Sequence, residues 1–231
     1  MNQPYYRHMD QAAATISNAA IRKALVGAIE LHRTLDDVTK ASVANIRDDK
    51  DLSPSGKTRK VRDVIGSRAW EVIKAQKIAR RLAERIEEKR AELKLPEIEP
   101  TDSAGAILRM QVRSGQLAGK TNQELRALIP TMSPLYLQTI LEAPQLIGAD
   151  AHTVDVARTH AIELAYPGMT AKLESDRDAV NLLVNATAAV VNTFGELGEL
   201  PNKTAIEGFL NERLADQRHI DADVERQITE S

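Results

Sequence analysis

Residues 53–95 read SPSGKTRKVRDVIGSRAWEVIKAQKIARRLAERIEEKRAELKL, and how this stretch is read decides the fold. Ser53 is an N-cap residue type, Pro54 takes the first helical position, where its missing N–H costs nothing, and Leu95-Pro96 marks the end. Between these marks Ile65, Val72, Ala79, Ile86 and Leu93 recur every seven residues, with Ala75 and Leu82 on the same stripe. That is the seam of a coiled coil. One uninterrupted helix of this length would run about 60 Å at 1.5 Å per residue, and its stripe cannot be buried against itself. A second helix must cover it.

The covering helix is expected over about 10–48, where Ile21, Ala24, Ala28, Leu31, Leu35 and Val38 alternate spacings of three and four. Asp48-Asp49-Lys50-Asp51 interrupts the pattern before Ser53, so the two helices are predicted to fold back as a long antiparallel, coiled-coil-like hairpin. Residues 95–103, with Pro96 and Pro100 and no helical period, read as a stiff linker. They divide the chain into a hairpin over 1–95 and a helical domain over 96–231. Within the second part, short helices are predicted from Asp102 or Ser103 to Arg113, from the Thr121-Asn122-Gln123-Glu124 capping box to Pro130, from Ser133-Pro134 to Pro144, and from Asp150 to Tyr166. Two longer helices come after these, over about 169–194 and 202–228. The first is mainly apolar in its second half, through Val184, Val190 and Val191, and is expected to be enclosed by others. With no strand-like alternation the class is all-α.

Composition narrows the chemistry. Of 231 residues 42% are hydrophobic, enough for a real core, but only 3% are aromatic and none is cysteine. Disulfides, thiol nucleophiles and thiolate metal sites are therefore excluded. No apolar run approaches the roughly 20 residues of a membrane span, and the N-terminus lacks an apolar signal core, so cytoplasmic synthesis and no membrane partner are expected. The net charge of −2 conceals a division: residues 53–94 carry 13 Lys and Arg against 6 Asp and Glu, leaving the rest of the chain at −9.

Few motifs invite catalysis. Gly56-Lys57-Thr58 and Gly119-Lys120-Thr121 resemble the end of a phosphate-binding loop, but Asp51 and Ser114 stand where the earlier glycine is needed, and neither comes after a strand. His152, Asp155, His160 and Glu163 share one arc of a helix, yet the histidines are eight apart and the order is His-x-x-acid. Hydrogen-bonded side chains fit that pattern better than a metal site. The chain is read as no enzyme, with no cofactor.

Binding is the stronger theme. Lys57, Arg59, Lys60 and Arg62, continued by Lys74, Lys77, Arg80, Arg81, Arg85, Lys89 and Arg90, give the long helix a basic exterior suited to phosphate contacts with nucleic acid. The intervening glutamates and the lack of interleaved aromatics argue against base readout. Trp70 reads as a packing anchor. For self-association the candidate surfaces are an N-terminal arm bearing Tyr5 and Tyr6, the seam at Ile65, Val72 and Ile86, and the C-terminal helix at Leu210, Leu214 and Val224.

Leu52-Ser53-Pro54-Ser55-Gly56-Lys57 opening an Arg- and Ala-rich helix, then Arg109 and Arg113, Leu125-Arg126-Ala127-Leu128, and Ile140-Leu141-Glu142-Ala143-Pro144 with Leu146, give residues 50–165 a pattern that resembles helical proteins encoded by tailed bacteriophages. The resemblance implies a virion-associated or assembly role and brings no catalytic residues. Three functions remain open: a structural or assembly protein that forms homo-oligomers or joins other particle proteins, a non-specific nucleic-acid binder, and a helical adaptor or inhibitor of one host protein.

Overall fold

The computed structural model describes residues 3–95, 103–213 and 218–229, and among these every regular element is helical. The all-α class therefore holds. The expected linker lies mostly outside the described residues, as does Leu214.

Both long helices are interrupted. The N-terminal one comprises α1 (Gln3–Thr15) and α2 (Ala19–Thr34), then a π turn (Leu35–Thr39) leading into α3 (Lys40–Asp48). Asn18 restarts the helix by accepting the Ile21 N–H at 3.4 Å. The π turn shifts the helical phase: Leu35, Thr39 and Val43 are buried, whereas Val38, expected in the seam, is 60% exposed. The predicted helix over 53–95 is α4 (Pro54–Gly66) and α5 (Ala69–Glu92), kinked at Ser67-Arg68. Ser53 caps α4 as expected, accepting the Gly56 N–H at 3.2 Å. At the kink the Arg68 N–H turns to the Ile65 carbonyl (2.9 Å) and the Ser67 hydroxyl to the Val64 carbonyl (2.7 Å), the disturbance a Gly-Ser pair introduces into a helix. The single uninterrupted rod is thus corrected to a kinked pair.

The chain forms two compact units, one of residues 1–87 with 175–231 and one of residues 88–174. This differs from a division at the prolines, because the C-terminal helices belong with the N-terminal ones. In the first unit α10 (Met169–Leu197) runs alongside α2 and α3: Asn18 donates to Asp176 (3.0 Å), His32 meets Thr193 (3.0 Å), and Arg47 donates to the Leu197 carbonyl (3.3 Å). Glycine at 198 lets α10 approach α4, because a Cβ there would run into Ile65. Beyond Pro201, α11 (Lys203–Arg213) returns along α4, with Arg213 paired to Asp63 at 2.9 Å. α12 (Arg218–Thr229) then lays Ile220, Val224 and Ile228 into the core. The seam residues Ile65, Val72, Ala79, Leu82 and Ile86 are all buried here, covered by several helices instead of one.

The second unit contains α6 (Ser103–Val112), which widens into a π turn (Arg113–Leu117) before Gly119, α7 (Asn122–Leu128), α8 (Pro134–Glu142) and α9 (Ala151–Ala165). Its core is Val112, Leu117, Leu125, Ile129, Met132, Leu137, Ile140, Ile147 and Ala157. The Thr121–Glu124 capping box forms in both directions, and Asp150 caps α9. Hydrogen bonds from Thr121 hold the Glu124 carboxyl below its usual range, and those from Thr153 do the same for Asp150.

Candidate functional site

The cationic face expected along residues 57–94 is divided. On α5, Lys74 lies 3.7 Å from Asp223, Lys77 2.5 Å from Asp221, and Arg81 and Arg85 each 2.9 Å from Glu225, so α12 supplies the carboxylates. Arg80 pairs with Glu84 at 3.3 Å. On α4, Lys57 donates to the Arg47 carbonyl at 2.6 Å, while Arg59, Lys60 and Arg62 are exposed. Lys89 and Arg90 are exposed near the end of α5. A continuous phosphate-binding stripe is not what the fold presents, because the acidic C-terminal helix occupies its middle.

The residues expected to mediate self-association fall mainly inside the chain. Ile65 and Val72 are at 0% exposure, and Ile86, Leu210 and Val224 are also buried in the first unit. Tyr6 is no free arm: it lies on α1, buried, its ring 5.5 Å from His32 and under the Arg33 guanidinium at 5.0 Å. Tyr5 completes an edge-on cluster, 5.4 Å from Tyr6 and 5.6 Å from His32. Burial, aided by the charges of Asp36 and Asp37, pushes the Tyr6 hydroxyl up to about 12, and burial pushes Tyr5 up as well. Burial lowers His32, against a smaller opposing pull from Asp36. The Tyr6 hydroxyl and His32 Nδ1 are buried without partners. Trp70 is half-buried on α5.

The remaining motifs are engaged locally. In the first Gly-Lys-Thr triplet, Gly56 bonds Ser53 and the Thr58 hydroxyl donates to the Pro54 carbonyl (3.1 Å). In the second, Gly119 takes φ +76° and Thr121 is the capping residue. His152, Asp155, His160 and Glu163 line a cavity of about 510 Å³ with Ile129, Pro130 and Val156. Glu163 accepts the Gly168 N–H at 2.7 Å. Among the described residues no three His, Asp or Glu side chains converge to hold a metal, and no helix is long and apolar enough to cross a membrane.

What the sequence did not disclose is a groove of about 1070 Å³ in the first unit. One wall is α5, through Gln76, Ala79, Arg80 and Ala83, and the other is α10, through Val184, Thr187, Ala188, Val191, Asn192 and Gly195. Both series keep the three-four spacing of a helix face, so each wall is one stripe of a continuous helix. Leu200, Pro201 and Ile206 close one end. Enclosure of α10, the expectation from its apolar second half, is incomplete: Val184 is 44% exposed, and Ala188 and Asn192 are also exposed. The Thr187 hydroxyl, in a side chain only 5% exposed, has no hydrogen-bond partner. The legible signal was the run of small residues Ala79, Ala83 and Ala188 within apolar stripes, which leave room for a third helix where bulky residues would fill the space. No protein-family model, curated protein or solved structure matches this chain.

Proposed function

We propose that this chain is a non-enzymatic structural or assembly protein that works by docking helices, as a homo-oligomer or with other assembly proteins. The observation that carries the reading is the α5–α10 groove. Two helix stripes that mix small and apolar residues (Ala79, Ala83, Val184, Ala188, Val191) with polar ones (Gln76, Arg80, Asn192) stand open to the same groove, which suits an amphipathic helix. Residues 50–165, with their resemblance to tailed-phage helical proteins, favour a phage or phage-like particle as the setting. The engagement of Lys74, Lys77, Arg81 and Arg85 by α12 counts against one continuous phosphate-binding stripe, while Arg59, Lys60, Arg62, Lys89 and Arg90 stay exposed. Light scattering over a wide concentration range, with affinity capture from the native source, tests the proposal. Mass above the monomer, or co-capture of particle proteins, is expected; a strict monomer that captures nothing overturns it.

A further inference from the structure

Four cations of α5 stand on a single stripe. Lys74, Lys77, Arg81 and Arg85 follow one another at spacings of three, four and four, so they share one helix face over about 16 Å at 1.5 Å per residue. A stripe of that length covers the axial rise of about five phosphates on one strand of a duplex. Two of the cations act together: Arg81 donates from Nε to one oxygen of Glu225 and Arg85 from Nη2 to the other, both at 2.9 Å. Paired guanidiniums that grip both oxygens of one anion suit phosphate as well as carboxylate.

What fills the stripe is the C-terminal helix. Every acidic residue of α12, Asp221, Asp223 and Glu225, meets one of these cations, while Ile220, Val224 and Ile228 anchor the helix in the core. The carboxylates stand partly in water, and ion pairs so placed are weak and yield to salt. Weak as bonds, they are effective as a screen, because they cancel most of the field of the one row of cations on α5 that faces α12. In the same unit Arg59, Lys60 and Arg62 of α4 remain exposed to attract a polyanion to this side of the fold.

We propose that α12 is an intrachain cover for a nucleic-acid-binding face on α5, its carboxylates standing where backbone phosphates bind. The contacts are to phosphates alone, so binding has no sequence preference. While the carboxylates hold the cations, the apparent affinity is reduced by the fraction of chains in which the face is covered. The cover is independent of the α5–α10 groove and of the assembly reading, and the two stand or fall by different measurements.

The test is binding of a short mixed-sequence DNA duplex, followed by fluorescence anisotropy at several salt concentrations. Three full-length chains are compared: the native one, a cover variant with Asp221→Asn, Asp223→Asn and Glu225→Gln, and a control of equal net charge with Asp178→Asn, Glu196→Gln and Glu212→Gln, all exposed carboxylates of α10 and α11. The cover variant is expected to bind about tenfold tighter than either at low salt, with a log–log salt slope steeper by about 3. Adding Lys77→Gln, Arg81→Gln and Arg85→Gln to it should return binding to the native level. If the triple change costs helical circular dichroism, Glu225→Gln alone, which opens the Arg81–Arg85 grip, carries the same comparison. A cover variant that binds no tighter than the control overturns the inference, as does a native chain that already binds as tightly. A gain that survives loss of the three cations also overturns it, by placing the DNA on another surface. A gain toward heparin without one toward the duplex overturns nucleic acid as the occupant.

Discussion

His32 is the residue whose surroundings are most sharply defined. Its Nε2 shares a hydrogen bond with Thr193, its Nδ1 is buried without an acceptor, and two tyrosine rings crowd it. A second proton would add a buried N–H donor with nowhere to go and a charge that burial disfavours more than Asp36 favours it, so the folded state prefers the neutral ring. The unfolded chain takes up the proton near the ordinary histidine value of 6.5 and the folded chain only below it, so this contribution to stability is complete above 6.5 and is lost as pH falls through the lowered folded value. Urea melts of the native chain should show a falling midpoint between pH 7 and pH 5, and His32→Gln should flatten that slope. Neither effect was legible in the sequence, where Tyr5 and Tyr6 read as an arm. Their cover comes from α1 folding back on α2, which brings both rings to His32 and which no local pattern in residues 1–10 announces.

At the scale of elements, close approach and phase decide most of the differences. Gly198, just past α10, lies against Ile65, whose buried side chain would have to turn away from an added Cβ, so Gly198→Ala should cost about 1–3 kcal/mol in chemical denaturation. The π turn at Leu35–Thr39 holds one residue more than an α-helix needs. Deleting the exposed Val38 should convert it to regular helix at little cost, whereas deleting Val26, within the continuous α-helix before it, would rotate the buried stripe; comparative thermal melts of the two deletions read the difference. Starts of helices were legible because caps are local chemistry: Ser53, Thr121 and Asp150 each bond an amide three residues on. The break at Ser67-Arg68 carried a signal in the Gly66-Ser67 pair, but the heptad spacing runs straight through it and masks it. The groove was hidden for a related reason. Apolar periodicity shows which faces of α5 and α10 seek cover and is silent on which face remains uncovered.

For the whole molecule, the charge division of the sequence finds its place in the meeting of α5 and α12. The pairs sit near the surface, with Asp221 63% and Glu225 49% exposed in their side chains, where each contributes about 0–1 kcal/mol at most. The buried Ile220, Val224 and Ile228 therefore hold α12 in place, and the charges set its register. Residues 88–174, by contrast, leave the first unit and return to it as one contiguous passage, and the points of departure and return stand next to each other: Arg177 lies 3.9 Å from Glu87. Both joints of the passage fall inside helices, within α5 on the way out and within α10 on the way back. Cutting it out and rejoining the ends through a short glycine-rich bridge should leave a cooperatively melting helical remnant in circular dichroism, with the tyrosine–histidine cluster intact. A remnant that keeps that cluster would owe its cohesion to the residues on either side of the excision alone.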